Sequence, residues 1–149
     1  MRIGRAGERG VSTVELALML PVVLVLLLGS LDLARVMNAE LVVSSASREG
    51  ARYATLHPSA APAAIVDAVL ARSVPLDRER VVVSASYDEG AGALPWPETG
   101  LPPSGATARR IAVTVDVAYP WRAATFFGGS ILGRSGVRLG STSTMEAWW

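Results

Sequence analysis

The chain contains no cysteine, no lysine and a single histidine, His57, and these absences exclude several functional classes. Without cysteine it can form neither disulfides nor thiolate metal sites. With one histidine it also lacks the residues of a zinc finger or of a Cys-His catalytic pair. A Walker-type phosphate loop needs a lysine to reach the phosphates, so that class is excluded as well. The sequence therefore predicts no metal site, no cofactor and no small-molecule substrate.

The remaining polar residues do not form a catalytic pattern. Ser130 lies between Gly129 and Gly133, a spacing that does not fit a nucleophile elbow. Asp88 and Glu89 are adjacent carboxylates beside a glycine, which is typical of a solvated turn. The net charge is only +1, which indicates no general attraction to nucleic acid. We therefore expect neither enzymatic activity nor nucleic-acid binding.

A long apolar run lies near the N-terminus. Residues 14–31 read VELALMLPVVLVLLLGSL, and Glu15 is their only charged residue. In a helix these roughly 18 residues span about 27 Å, close to the hydrocarbon thickness of a bilayer. Arg2, Arg5 and Arg9 precede the run, and basic flanks stay in the cytoplasm. The sequence predicts a single-pass protein of the cytoplasmic (inner) membrane, with a cytoplasmic N-terminus and an extracytoplasmic C-terminal domain.

A cleaved secretory signal peptide is the alternative interpretation of this run. The uninterrupted apolar core, residues 16–29, is short enough to be the hydrophobic region of such a peptide. However, no good small-x-small cleavage site follows it, and the helical pattern continues past Leu31. A retained membrane helix is therefore the favoured interpretation.

Apolar and small residues continue at helical spacing beyond the membrane segment. They recur every three or four residues at Val36, Ala39, Val43, Ala46, Gly50 and Tyr53. Pro58 ends the pattern, because proline disfavours helical geometry in the residue before it and cannot continue the hydrogen-bond ladder. The sequence predicts one helix of about 40 residues, over residues 11–55.

Three small residues within this stripe are spaced by four: Ala46, Gly50 and Ala54. On a helix such a row forms a groove that another backbone can approach closely. An interior glycine costs about 1 kcal/mol relative to alanine, so close packing is a reason for Gly50 to be there. Two occupants fit this helix-packing groove: the chain's own sheet, or a neighbouring subunit.

The rest of the chain has the pattern of a small α+β domain. Residues 62–73 predict a short helix, and alternating residues predict strands at 81–87 and 111–119 and a weaker strand at 137–146. The predicted fold is a long N-terminal helix packed on a small, mainly antiparallel three-stranded sheet with one short extra helix. The predicted divisions are a cytoplasmic leader at 1–10, the helix at 11–55 and the extracytoplasmic domain at 56–149.

The connection between the first two strands, residues 88–108, is long and rich in glycine and proline. So long a connection without structure of its own is either functional or mobile. Trp96 lies in it between two prolines. This tryptophan is either the tip of a recognition loop or a side chain folded back on its own domain.

The N-terminal motifs occur in a recognisable order. A basic leader is followed by Glu8-Arg9-Gly10-Val11-Ser12-Thr13-Val14-Glu15 and then by the apolar core. This order resembles the class III signal of type IV pilin-like proteins. More narrowly, VELALMLPVVLVLLLGSLDLAR at 14–35, followed by SREGARYA at 47–54, resembles TadE-like proteins of the tight-adherence (Flp) pilus system.

The resemblance implies a role for several residues. A prepilin peptidase would cut after Gly10, leaving Val11 as the first residue and Glu15 as the fifth. In such proteins the glutamate pairs with a neighbouring subunit, so Glu15 is the expected subunit-pairing residue. Leu16 departs from the pattern, since pilins of this system often have an aromatic residue after the glutamate.

The resemblance also implies a function and partners. TadE-like proteins are minor, pseudopilin-like components of pilus assembly with no catalytic activity. The implied partners are the membrane, a prepilin peptidase, other pilin-like subunits and the pilus assembly platform. Two other classes remain open on the residues alone: a membrane-anchored extracytoplasmic binding module unrelated to pili, and an exported enzyme.

We predict that the mature N-terminus is Val11, because Gly10 lies at the boundary between basic and apolar sequence, where a protease on the cytoplasmic side can reach it. Terminal sequencing and intact mass should show loss of residues 1–10 in cells that contain a prepilin peptidase, and an intact Met1 in cells that lack it. A Met1 terminus in the presence of the peptidase, or a terminus beyond Leu31, would contradict the pilin-like interpretation.

Overall fold

The computed structural model describes residues 6–101, 110–124 and 136–148, and the side chains of residues 6–11 lie outside that description. In chain order the elements are α1 (Ala6–Leu56), α2 (Pro62–Arg72), the 3-10 turn η1 (Arg78–Arg80), β1 (Val82–Asp88), β2 (Leu94–Pro95), β3 (Arg110–Trp121) and β4 (Val137–Trp148).

Helix α1 is a single element of 51 residues that ends directly before His57. Its most apolar 18-residue window has a mean hydropathy of 2.5, and none of that window is buried inside the chain. Apolar side chains such as Leu16, Leu18 and Leu26 are about two-thirds exposed. Since so much apolar surface is stable only in a nonaqueous environment, the N-terminal half of α1 is consistent with a single-pass membrane anchor.

The C-terminal half of α1 has one buried side. Ala39, Val43, Ala46 and Ala54 are at most 3% exposed, and they belong to the same hydrophobic core as the central strand β3. The opposite positions Asn38 and Arg52 are exposed. The amphipathic pattern of the sequence therefore describes the packing of this half, as expected for a helix lying on a sheet.

The described strands form one antiparallel sheet in the order β2-β1-β3-β4. The α+β class and the long helix are confirmed, but the prediction of three strands is wrong, because β2 adds a fourth. Strand β2 has only two residues, and Leu94 and Pro95 pair with Tyr87 and Ser86 of β1. Two residues carry no alternating pattern, so the sequence of this glycine- and proline-rich connection could not reveal the strand.

Helix α1 lies along the strands and runs opposite to β3. The carboxylate of Asp32 accepts a hydrogen bond from the backbone N–H of Ala124, just past β3, whereas Gly50 lies against Val115 in the middle of that strand. The 18 helical residues from Asp32 to Gly50 cover about 27 Å, and the nine residues from Val115 to Ala124 cover about 30 Å. The C-terminal end of β3 is therefore held next to the end of the apolar run.

The connection after β1 is folded onto the domain. Trp96 is 5% exposed, its indole N–H donates to the carbonyl of Ala60 at 2.9 Å, and its ring meets Tyr87 edge-on. Nearby, Gly100 has φ +75°, and a Cβ there would come within 2.3 Å of the backbone of Ser59, so only glycine fits. Of the two interpretations of Trp96, the structure agrees with the folded-back side chain.

We predict that Gly50→Leu destabilises the domain, because even a Cβ at this position would come within 2.5 Å of Val69 Cγ2 and 3.0 Å of Val115 Cγ1. Overpacking of this kind costs about 1 to 3 kcal/mol, which lowers the melting temperature of a domain of this size by roughly 4 °C or more. The measurement is thermal unfolding of the full chain in detergent.

Gly29→Leu is the matched control for Gly50→Leu. Gly29 lies in the same helix, but a Cβ there would have nothing within 4 Å. This variant should leave the unfolding temperature unchanged within about 1 °C, since it meets no neighbour inside the chain. Equal decreases in unfolding temperature for the two substitutions would show that close packing is not the reason why Gly50→Leu is destabilising.

We predict that Asp32→Ala loosens the C-terminal end of β3. Asp32 is 4% exposed and its carboxylate accepts a hydrogen bond from the N–H of Ala124, which is an exposed residue. The substitution removes this partly buried hydrogen bond, at a cost of about 0.5 to 1.5 kcal/mol. Hydrogen exchange of the Ala124 amide should accelerate about twofold to tenfold. The control, Glu40→Ala, removes an exposed carboxylate from the same helix and should leave this exchange rate unchanged.

Candidate processing and assembly site

The residues implied in processing lie in the first turns of α1. The helical backbone includes Gly10 and Val11, whose side chains lie outside the described part of the chain. Glu15 follows one turn later and is exposed, between Val14 and Leu16, which are 61% and 68% exposed. No side chain in the described part of the chain therefore covers Glu15.

This geometry limits what Glu15 can contact within its own chain. Its carboxylate is on the helix surface, one turn from the backbone nitrogen of Val11 and from Ser12, and its sequence neighbours Val14 and Leu16 are apolar. A carboxylate near hydrocarbon is costly unless a cation or hydrogen-bond donor accompanies it. The helix dipole favours an anion in the first turn of a helix. Glu15 is nine residues beyond the start of α1 at Ala6, so the dipole would offset this cost only after cleavage at Gly10 had shortened the helix.

The predicted helix-packing groove lies elsewhere on α1 and faces the inside of the domain. Ala46 and Ala54 are fully buried, and Gly50 lies against Val69 of α2 and Val115 of β3. In the structure the chain's own sheet and short helix occupy this surface. Ala46 is 31 positions beyond Glu15, or about 46 Å along the helix, so the structure does not bring the groove and Glu15 together.

Two buried polar residues of α1 were missed by sequence reasoning. The carboxylate of Asp32 accepts a hydrogen bond from the N–H of Ala124, and a guanidinium nitrogen of Arg35, one turn on in the helix, lies 3.8 Å from the same oxygen. Ser47 is fully buried and its hydroxyl lies 3.0 Å from that of Ser141 on β4. A signal for Asp32 was available, since it is four residues before Val36 and seven before Ala39 and therefore lies on the same buried face. Nothing in the local sequence indicates the partner of Ser47.

The described surface of the domain has shallow depressions. One depression of about 330 Å³ lies between α1 and α2 and is bordered by Leu41 and Val74, and another of about 320 Å³ lies on the face of the sheet turned away from α1. Within residues 12–101, 110–124 and 136–148, no three His, Cys, Asp or Glu side chains are grouped as metal ligands.

The single histidine, His57, and the first of the two adjacent carboxylates, Asp88, make structural contacts. The ring of His57 stacks on Tyr53 with centroids 4.4 Å apart. One carboxylate oxygen of Asp88 accepts hydrogen bonds from the N–H groups of Gly90 and Gly92, at 2.6 and 3.0 Å. These contacts fix a helix end and a turn.

Comparison with known proteins gives one match. A family model described as TadE-like protein matches residues 10–52, which include the apolar segment, Glu15, Ala46 and Gly50. No curated protein and no solved structure matches the chain. The resemblance inferred from the sequence is thereby confirmed: over residues 10–52 the chain matches the TadE-like family.

Proposed function

We propose that this chain is a minor, pseudopilin-like component of a tight-adherence (Flp, type IVc-like) pilus system and has no catalytic role. The observation that carries the proposal is the TadE-like match, because it covers almost all of α1 downstream of Gly10. A TadE-like segment indicates an association with the Tad pilus, and the finer role follows from the helix. In this proposal the protein acts by assembling with other subunits.

The anchoring part of the proposal is supported by the exposure of α1. Apolar residues are exposed around the whole helix between residues 14 and 31, as expected for a segment in contact with lipid or with other apolar helices. The basic leader supports a cytoplasmic N-terminus. The domain of residues 56–149 is then outside the cytoplasmic membrane, where the helix can transfer it to a surface pilus.

The assembly part of the proposal depends on Glu15. Cleavage after Gly10 would create a positive amine on Val11, close to the apolar boundary. That amine and the Glu15 carboxylate both need partners, and the glutamate is exposed on α1. Pairing with the amine of a neighbouring subunit would fix the axial register of two helices, because a slipped neighbour leaves two uncompensated charges at a cost of several kcal/mol.

The packing of the groove indicates that different parts of α1 serve the fold and the assembly. Since Ala46, Gly50 and Ala54 contact the chain's own sheet and α2, subunit contacts use other surfaces of the helix. The exposed N-terminal half of α1 supplies such a surface. The alternative function, a membrane-anchored binding module unrelated to pili, would need neither cleavage at Gly10 nor the charge of Glu15.

We predict that Glu15→Ala leaves membrane insertion and cleavage intact, because it makes the span more apolar, but reduces assembly with other pilin-like subunits. Loss of a paired charge of this kind should reduce crosslinking about tenfold or more. The chain has no cysteine, so Leu18→Cys, at an exposed position of α1, can be crosslinked to a cysteine in the neighbouring helix.

Two further variants separate charge from side-chain shape. Glu15→Gln keeps the size of the side chain and should show the same loss as Glu15→Ala, whereas Glu40→Ala, an exposed position beyond the apolar run, should crosslink like the unmodified chain. Wild-type crosslinking and wild-type pili with Glu15→Ala would show that Glu15 is only an anion at the helix end.

A further inference from the structure

The direction of α1 relative to the sheet determines which end of the domain faces the membrane. The hydrogen bond from the N–H of Ala124 to Asp32 holds the end of β3 beside the first polar residue after the apolar run. The start of β4 is at the same end, because Trp121 pairs with Val137. If α1 crosses the membrane as proposed above, this end of the sheet lies at the extracytoplasmic bilayer surface.

Arginines are concentrated at this end of the sheet. The side of the sheet turned away from α1 is called the outer face here. The β1–β3 register pairs Val82 with Ala118, so Arg80 lies beside Pro120 at the edge of the sheet. Its guanidinium donates to the Pro120 carbonyl and lies 5.3 Å from the centre of the Tyr119 ring. From the other side, Arg138 of β4 pairs with Pro120. Arg80 and Arg138 therefore lie on either side of Pro120, one on the segment before β1 and the other on β4.

Arg122 extends this group towards the membrane. It follows β3 by one residue, has the same parity as Pro120 and is exposed, as is Arg138. We call Arg80, Arg122 and Arg138 the arginine corner. On the outer face of the described strands, the carboxylate nearest to the corner in register is Asp116, four residues before Pro120, and its oxygen already accepts a hydrogen bond from Thr142.

Other charged residues at this end do not neutralise the positive charge on the outer face. Arg35 lies one turn beyond Asp32 on α1 and is 59% exposed. The acidic residues near this end are Asp32 and Glu40 on α1 and Asp77 and Glu79 at η1. Asp32 lies 3.8 Å from Arg35, and the Asp77 carboxylate accepts a hydrogen bond from the N–H of Glu79. The opposite end of the sheet is different, because there Arg110 is already paired with Glu146.

The heights of these side chains match the lipid headgroup layer. At about 3.3 Å per strand residue, Arg122 is roughly 7 Å and Pro120 roughly 13 Å beyond Ala124. Headgroups extend about 5 to 8 Å beyond the hydrocarbon on each side of a bilayer. Arg122 therefore lies within that layer, and Arg138 lies just above it with a long side chain that can extend towards it.

We propose that the arginine corner binds the phosphate groups of anionic phospholipids in the extracytoplasmic leaflet and so fixes the height and rotation of the domain on its membrane anchor. Guanidinium groups suit this role because their N–H donors match phosphate oxygens in pairs. The inference rests on the proposed membrane anchoring. It adds a second, electrostatic contact to the apolar one.

The test uses the full chain in nonionic detergent, titrated with short-chain phosphatidylglycerol, short-chain phosphatidylcholine and inorganic phosphate in separate experiments. The variant is Arg122→Gln with Arg138→Gln, and Arg80 is kept because it also holds the Pro120 carbonyl. The control, Arg48→Gln with Arg52→Gln, removes two exposed charges from the part of α1 farther from the apolar run. Unchanged unfolding temperatures of both variants show that the domain is intact.

One arginine near an anionic surface contributes about a fivefold gain in affinity, so the corner variant should bind phosphatidylglycerol about 25-fold more weakly. The control variant should change by less than twofold, and phosphatidylcholine and inorganic phosphate should bind much more weakly to every form. Equal losses in both variants, or equal affinity for the two lipids or for free phosphate, would overturn the proposal.

A separate measurement distinguishes failure of this inference from failure of the proposed function. Carbonate-resistant fractionation of the full chain with membranes tests the anchor and does not depend on the arginine corner. A chain that stays in the membrane while the corner variant binds phosphatidylglycerol normally overturns the lipid contact alone. A chain that is extracted overturns the anchor, and with it the placement of the corner at a bilayer surface.

Discussion

The close packing of α1 against β3 and α2 at Gly50 is the contact on which the rest of the structure depends. A helix that continues from an apolar segment into a folded domain must change from being apolar on all sides to having one buried side, without a break in its backbone. Gly50, with Ala46 and Ala54 one turn on either side, lets the sheet and the short helix approach closely enough to bury Val69 and Val115 completely. Larger side chains there would hold these elements apart and reduce the dispersion contacts of the core.

The same packing transmits the direction of the helix to the domain. Because α1 is continuous and lies along the strands, the orientation of the sheet follows from the orientation of the helix. Asp32 strengthens this coupling at the base of the domain, where its buried carboxylate holds the backbone after β3. Ser47 and Ser141 make a second polar contact farther along. Two polar contacts within an apolar interface specify its alignment, since a shifted helix would leave buried polar groups without partners.

This arrangement separates fold stability from assembly. The inward side of the C-terminal half of α1 is used by the domain, and the exposed apolar half with Glu15 is available to lipid and to other helices. The domain contributes no group of metal ligands among its described residues. Its contribution to the proposed function is its surface, including the arginine corner.

The amino-acid sequence by itself determined the elements whose patterns are local. The apolar run, the amphipathic continuation of α1, the helix α2 and the alternating strands β1 and β3 can all be predicted from it, because each depends on residues repeated at a helical or strand period. The TadE-like resemblance was likewise carried by contiguous residues. The sequence could not decide whether the groove is occupied by the chain's own sheet or by a neighbouring subunit, or whether Trp96 is exposed or folded back. In each case both alternatives have the same local sequence pattern.

Only the tertiary structure decided which surfaces meet. The two-residue strand β2 has no period to detect and is defined by its hydrogen bonds to β1. The contacts Asp32 to Ala124 and Ser47 to Ser141 join residues 92 and 94 positions apart. The arginine corner likewise combines residues from three separate segments through the strand register. Such contacts depend on how the elements pack against one another. The local sequence around each residue does not identify its partner, because the partner is distant in the chain.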